Sequence, residues 1–434
     1  MANVEMDKRD LESILTDQRE ELDAKGSLTL VQRKEEELVD MDSPQAQVVI
    51  GVRRSGKSTL CYNVLRRNGV RFAYVNFDDE RLSAIEGRDL NDVLEVLYKI
   101  YGDFTHLFID EIQNIPEWYL FVNRLLRRNM RILITGSNAK LLSGELATHL
   151  TGRHHAISLY PYSFSEYCDY KNVDKTSLST KAIALRRAAF DNYLKNGGFP
   201  ELQMVANKRD YIGTLVENIV VRDIEQRFSI GYKAAFEQMA YHMMNIVPSI
   251  VADDELRRLF GLKSVHTAKN YLGYLCQAYL FVGLRKYSAK SRLRIVGEKY
   301  YPIDVALMNY RADAFVGDNM GWRLETVVYL ELLRRCHAVQ QDIYYYRDRL
   351  GECDFIVCQG NKALQAIQVS YDISNDKTRK REIAGLLLAA RKTKATQLLL
   401  LTDHHYEDVI LGEYKVAIRP VYDFVLLPTD KFPY

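Results

Sequence analysis

The stretch Gly51-Val-Arg-Arg-Ser-Gly-Lys-Ser58 constrains this chain more than any other. An apolar run ending at Ile50 leads into it, and Thr59 to Leu65 lead out with Leu60, Val64 and Leu65 on one helical face. Strand, glycine-bounded loop and helix is the setting that a phosphate-binding loop requires. Glycine lets the loop wrap closely, so successive backbone N–H groups can turn inward toward an anion. The helix that starts here adds the positive end of its dipole. In such a loop Lys57 reaches the outer phosphates as a point charge, and the Ser58 hydroxyl takes Mg²⁺. The stretch therefore predicts a nucleoside triphosphate site built from Gly51, Arg53, Arg54, Ser55, Gly56, Lys57, Ser58 and Thr59.

A second element strengthens this reading. Thr105-His-Leu-Phe-Ile-Asp-Glu111 has the pattern of a buried strand that ends in two carboxylates. Asp110 is the candidate for Mg²⁺ and Glu111 for polarising the attacking water. A further strand, Arg131-Ile-Leu-Ile-Thr-Gly-Ser-Asn138, also ends in polar residues. This order resembles the ATPases of the AAA+ and related branch. The resemblance implies that Asn138, with Ser137 as the alternative, senses the γ-phosphate. No Asn-Lys-x-Asp element that would read guanine stands in the expected place, and ATP is implied by the resemblance.

At 434 residues the chain is too long for one ordinary core, and two to three domains are expected. Apolar content of 47% with 27% charged residues describes a globular protein and excludes a disordered one. A net charge of +2 shows no global basic excess. No apolar run approaches the roughly 18 residues of a membrane span, and the N-terminus lacks a secretion signal. Six scattered cysteines without a CxxC pair fit reduced thiols, so a cytoplasmic setting is expected.

Along the chain, residues 1–42 read as a charged helical segment with Leu11, Ile14 and Leu15 on one face. Residues 43–160 alternate apolar runs at 45–50, 71–77, 105–109, 131–135 and 155–159 with helical patterns. That alternation predicts an α/β fold, a parallel-sheet P-loop core with helices on both faces. Asp78-Asp79-Glu80 reads as a solvated loop, with a reach toward the site as the alternative. Arg153, in Leu150-Thr-Gly-Arg153, is a candidate finger for transition-state charge, within its own subunit or across an interface, with a salt bridge or an exposed charge as the alternative. Residues 161–210 read as a small helical lid bracketed by Pro161-Tyr-Ser-Phe and Asn196-Gly-Gly-Phe-Pro-Glu201. A tight turn between helices is the alternative for the Gly-Gly segment.

These motifs together, with the arginine pair Arg53-Arg54, come in an order similar to that of a large group of prokaryotic AAA+-type ATPases with a C-terminal domain of unassigned function. The resemblance runs from about Val31 to the end. It implies that a Gln32-Arg33 element precedes the first strand and brings Arg33 near the nucleotide, although by itself Arg33 reads as a surface charge. It also implies a winged helix within residues 211–317. Helices are read at 253–260 and 264–280, followed by strand-like runs at 281–287 and 299–304. Lys286, Lys290, Arg292, Arg294 and Lys299 would form a basic wing, and Ser264, His266, Lys269 and Asn270 line the second helix. Such a module tracks a DNA backbone through phosphates or docks a protein.

Residues 318–434 carry a helix with Glu325, a hairpin whose second strand holds Asp354, and a strand with Gln368-Val-Ser370. This order resembles the PD-(D/E)xK nuclease core, in which two or three oxygen ligands gather Mg²⁺ and a lysine offsets charge. Glu325, Asp354 and Gln368 match the ligand positions, while Ser370 stands where the lysine belongs. A nuclease-like α/β domain without cleavage activity is expected, with Lys362 or Lys377 as substitutes to be considered and Arg347 as a partner for Asp354. The whole reads as a Mg²⁺-dependent ATPase coupled to a DNA- or protein-binding second half, with a homo-oligomer in view. The alternatives are an ATP-regulated nuclease and a low-turnover switch that recruits a partner.

Overall fold

The five apolar runs between residues 45 and 159 become five parallel strands in a computed structural model that describes residues 6–25, 31–137, 150, 152–225, 228–288, 297–310 and 319–428. The chain divides into two units, Met1–Tyr160 with Gln277–Tyr279 and Pro161–Cys276 with Leu280–Tyr434.

In the first unit α1 (Lys8–Lys25) precedes β1 (Ala46–Ile50), α2 (Lys57–Arg67), β2 (Phe72–Asn76), α3 (Leu90–Tyr101), β3 (His106–Asp110), α4 (Trp118–Arg127), β4 (Arg131–Gly136) and β5 (His154–Ser158). The sheet order is β2-β3-β4-β1-β5, with every pairing parallel. Strands covered on both faces need unbroken apolar runs, which is why β1 is buried throughout. The N-terminal segment shares this core. Leu11, Ile14 and Leu15 of α1 pack with Val75 of β2 and Val93 and Leu97 of α3. Gln18 pairs with the backbone of Asn76, accepting its N–H at 2.9 Å and donating to its carbonyl at 3.0 Å. A side-chain amide thus satisfies backbone groups on the outermost strand, where a bare edge would invite pairing with another chain.

The second unit begins with α5 (Phe164–Lys171), α6 (Thr180–Asn196), α7 (Lys208–Asn218) and α8 (Lys233–Ile246). A small antiparallel sheet of order β6-β8-β7 follows, from β6 (Ser249–Val251), β7 (Phe281–Leu284) and β8 (Glu298–Pro302). Between β6 and β7 the chain forms α9 (Asp253–Leu259) and α10 (Val265–Gln277). After α11 (Ala306–Tyr310) and α12 (Met320–Ala338) comes a mixed six-stranded sheet. Its strands are β9 (Asp342–Arg347), β10 (Glu352–Gln359), β11 (Lys362–Val369), β12 (Gln397–Thr402), β13 (Glu407–Leu411) and β14 (Tyr414–Pro420), in the order β13-β14-β12-β11-β10-β9. Alternate residues of β10 face opposite sides. Phe355 and Val357 meet α12, whereas Ile356 and Cys358 meet α13 (Asp376–Thr393).

Within the second unit the segments 161–210, 211–317 and 318–434 pack together. One core joins Phe164, Phe190, Leu284, Tyr301, Val328, Phe355 and Phe424. The small sheet is also continuous with the large one, because Tyr345 donates its N–H to the Arg285 carbonyl and accepts the Tyr287 N–H.

The Gly197-Gly198 segment is a tight turn pinned inside this unit. Gly198 donates its N–H to Asp304 Oδ2 at 2.7 Å and accepts the Tyr162 N–H at 2.7 Å. Asp304 Oδ1 takes the Ala306 N–H at 2.8 Å, and burial pushes this carboxyl up to about 6. Gly197 has φ +71°, and a Cβ there would lie 1.8 Å from Asp304 Oδ1. Gly197→Ala is therefore expected to destabilise the second unit by about 3 kcal/mol or more, combining left-handed strain with overlap. Chemical denaturation would measure it, and an unshifted midpoint would contradict the packing described.

Candidate functional site

The C-terminal edges of β1, β3 and β4 bring the predicted residues of the first unit together. The loop after β1 begins at Gly51, where a Cβ would sit 2.1 Å from the Leu159 carbonyl oxygen, so only glycine fits. Arg54 (φ +69°) and Gly56 (φ +97°) turn the chain in left-handed conformations before α2 starts at Lys57. Ser55 is fully buried, and its hydroxyl meets no hydrogen-bond partner in the described structure. Thr59 is half-buried in the first turn of α2. Arg53 pairs at 3.0 Å with Asp78, so the acidic loop after β2 is tied to the phosphate-loop segment rather than simply solvated.

Lys57 is 5% exposed and donates to the Gly51 and Val52 carbonyls, both at 3.2 Å, with Glu111 Oε1 3.8 Å away. The Ser58 hydroxyl hydrogen-bonds to the Asp110 carboxylate. Asp110 is buried at the tip of β3, where it also accepts from the Thr135 hydroxyl and from Tyr74. Burial and the adjacent Glu111 raise its carboxyl above the usual range, against the hydrogen bonds from Thr135 and Ser58. Glu111 has φ +53° and lies just past the strand. Its Oε2 accepts the Ser137 N–H at 3.2 Å, the Ser137 hydroxyl at 3.1 Å and the Gln113 amide.

Residues that fit a Mg²⁺-triphosphate group are thus assembled: an ammonium, a hydroxyl on a carboxylate, and a second carboxylate beside them. Asn138 lies outside the described residues, and its alternative Ser137 is the polar group in contact with Glu111. Sequence reading assigns no role to Thr135, and Gln113 only closes the motif that holds Asp110 and Glu111. Thr135 is legible in hindsight only because it stands opposite Asp110, one strand over.

Arg33 is 4% exposed and braces the loop directly. Its guanidinium donates to the Ser55 carbonyl at 3.1 Å and to the Tyr160 carbonyl at 2.7 Å. Arg33→Ala leaves two acceptors without this partner, and a loss of about 3 kcal/mol in stability is expected from hydrogen bonds to a charged group. Thermal melting of the nucleotide-free protein checks this, and an unchanged melting temperature would refute the bracing role.

Arg153 is not brought to this site. It is exposed and precedes β5, whose His154 lies level with Ala46 at the start of β1. The loop begins at the other end of β1, five residues on, or roughly 16 Å along the strand. A finger acting within its own subunit is therefore corrected.

In the second unit Glu325, Asp354 and Gln368 do converge, but with partners other than those expected. Asp354 Oδ2 accepts the Val369 N–H at 2.9 Å, and Gln368 Oε1 accepts the Asp354 N–H at 3.2 Å. The Gln368 amide donates at 2.9 Å to Glu382 of α13, a carboxylate that sequence reading missed. Arg347 is not the partner of Asp354; it pairs with Glu352 at the surface. Lys362 stands at the far end of the strand that carries Gln368, and Lys377 is exposed on α13.

The cation in the pit is Lys299. Its side chain is only 16% exposed, bonded to Glu325 Oε1 and 3.5 Å from Asp354 Oδ1, while Tyr301 donates to the same Glu325 oxygen at 2.6 Å. Lys299 therefore leaves the basic wing to which its place in the sequence had assigned it. Lys286 is half-buried at the bridge to Tyr345, and Lys290, Arg292 and Arg294 lie outside the described residues. Burial opposes the charge of Lys299, yet Glu325 and Asp354 hold it above the ordinary lysine range. Burial and the neighbouring Glu325 push Asp354 up to about 8. Among the described residues no group of three or more His, Cys, Asp or Glu side chains is arranged to hold a metal ion, and no helix is long and apolar enough to cross a membrane.

Comparison with known proteins agrees with the first unit's geometry. Residues 43–168 match the AAA domain family, and residues 187–316 and 320–419 match two domains of unknown function, DUF8612 and DUF4143. Among solved structures, the Holliday junction branch migration motor RuvB of Thermotoga maritima covers 67% of this chain and 92% of its own, at 14% identity and a TM-score of 0.26. Cdc6p of Pyrobaculum aerophilum covers 65% and 94%, at 13% identity and a TM-score of 0.25. Scores this low carry no argument about fold or activity. An uncharacterized protein of Methanocaldococcus jannaschii is 31% identical over 395 residues, 88% of each chain. One of Haemophilus influenzae is 30% identical over 390 residues, 86% of this chain and 93% of its own. The chain belongs to the same protein family as these two relatives, and it carries an AAA domain over residues 43–168.

Proposed function

We propose that this protein is a Mg²⁺-dependent ATPase whose nucleotide state governs what its second half binds. The observation that carries the reading is the hydrogen bond from Ser58 to Asp110, with Lys57 and Glu111 beside it. On ATP binding, Lys57 leaves its carbonyl partners for the phosphates, and the loop amides between Gly51 and Lys57 turn to the anion. Ser58 and Asp110 would hold Mg²⁺, which supplies neutralisation of charge developing on the phosphoryl oxygens. Glu111 orients a water and accepts its proton, and the polar residues at the end of β4 report whether a γ-phosphate is present. Arg153 acts only on a neighbouring subunit's nucleotide, which calls for a homo-oligomer.

The succession of β6, α9, α10, β7 and β8 supports a winged helix. Ser264, His266 and Lys269 are exposed on or beside α10, where phosphate contacts with DNA would form. A cytoplasmic setting follows for a protein of this kind. A second reading, a slow nucleotide switch, is favoured by the engagement of Glu111 with Lys57, Ser137 and Gln113, which must break before water is activated.

Phosphate release from ATP, with and without Mg²⁺ and with and without DNA, tests both on a sample of measured oligomeric state. Mg²⁺-dependent release supports the ATPase. Nucleotide binding without release under any condition supports the switch. Absence of both binding and release would sink the proposal.

A further inference from the structure

The polar pit of the second unit serves no step of the proposed hydrolysis, and with Lys299 in place its residues do not fit a divalent cation. A hard divalent ion needs several oxygens converging on one point at roughly 2.1 Å for Mg²⁺. Here the candidate oxygens are directed elsewhere. Gln368 Oε1 is turned to the backbone of Asp354, and its amide to Glu382. Asp354 Oδ2 is held by Val369, and Glu382 Oε1 takes Arg381. The remaining space between Glu325 and Asp354 contains the Lys299 ammonium, which also lies 5.5 Å from the centre of the Tyr301 ring. Lys299 comes from β8, a strand of the small sheet, and not from the strand where a nuclease core carries its lysine.

We propose that the Lys299 ammonium takes the place of the divalent cation in this pit, as a tethered ion that locks β8 to α12 through Glu325 and to the large sheet through Asp354. A carboxyl pair removed from water is costly unless a positive charge lies between its members. A lysine delivered from another strand supplies that charge permanently, with no dependence on metal. The consequence is a domain of nuclease-like layout that neither binds the metal nor cuts phosphodiesters. This inference rests on the second unit alone and stands or falls independently of the ATPase reading.

The test uses Mn²⁺ as probe on the full chain without nucleotide, followed by electron paramagnetic resonance and by thermal melting. Wild-type protein and Asp354→Asn are expected to give the same Mn²⁺ binding and the same Mn²⁺-induced shift in melting temperature, whatever their melting temperatures without the ion, because the pit takes no metal while Lys299 fills it. Lys299→Met removes the ammonium while keeping much of the stem's packing. It is expected to gain a Mn²⁺ site at least about tenfold tighter than any in the wild type, and the double variant Lys299→Met/Asp354→Asn should lose it. Two outcomes overturn the proposal. One is Mn²⁺ binding by the wild type that Asp354→Asn abolishes, which would make the pit a metal site with Lys299 beside it. The other is a folded Lys299→Met that gains no Mn²⁺ site. Should Lys299→Met fail to fold, the comparison of wild type with Asp354→Asn still decides.

Discussion

Glu111→Gln should bind ATP about as tightly as the wild type while hydrolysing it at least about a hundredfold more slowly, the usual scale for losing a positioned general base. The amide is isosteric, so its oxygen can still accept from Ser137 and the left-handed turn after β3 is undisturbed. What disappears is the capacity to take a proton from water. The ion pair with Lys57 also disappears, which frees that ammonium for the nucleotide and keeps affinity from falling. Titration with a fluorescent ATP analogue measures the first quantity and phosphate release the second. Comparable turnover in the variant would remove Glu111 from its assigned role. Loss of binding would instead make it a ligand or a structural support.

Lys57→Ala is expected to weaken nucleotide binding by about a hundredfold or more. A charge-assisted contact to phosphate contributes about 1.5–3 kcal/mol, and in the proposed function this ammonium would reach two phosphate groups. The fold itself should tolerate the change. Lys57 bonds two carbonyls of its own loop, both at the long distance of 3.2 Å, and lies at 3.8 Å from Glu111, so about 2 kcal/mol of stability is at stake. Isothermal titration with ATP and Mg²⁺, set beside a melting curve, separates the two effects. Wild-type affinity in a folded Lys57→Ala protein would mean that the loop after β1 is not the triphosphate site.

These two variants probe the part of the molecule that was most legible in the sequence. The phosphate loop, the Asp110-Glu111 tip and the strands of the first sheet are short-range patterns, and their edges fell within a residue of those observed. Arg33 was noticed through its position before the first strand, but its two carbonyl partners lie 22 and 127 residues away and leave no mark on the local pattern. Arg153 shows the converse. Its motif suggested proximity to the phosphates, whereas the parallel pairing of β5 with β1 puts it at the opposite end of the sheet. Thr135 and Glu382 were passed over because a hydroxyl in a strand and a carboxylate on a charged helix are ordinary until a neighbouring strand turns them into partners.

Taken by itself, the sequence determined what could be encoded within a few adjacent residues. That covers a glycine-bounded anion loop ahead of a helix, a carboxylate pair ending a buried strand, and the alternation that makes a parallel sheet. Only the tertiary structure decided that Lys299, read as part of a basic wing, lies between Glu325 and Asp354. It also decided that segments 161–210, 280–310 and 320–425 share one core. The reason is that backbone propensity and loop chemistry act between near neighbours, while the partner of a buried charge is chosen by sheet register and helix packing. Those bring together residues whose separation along the chain carries no periodic signal.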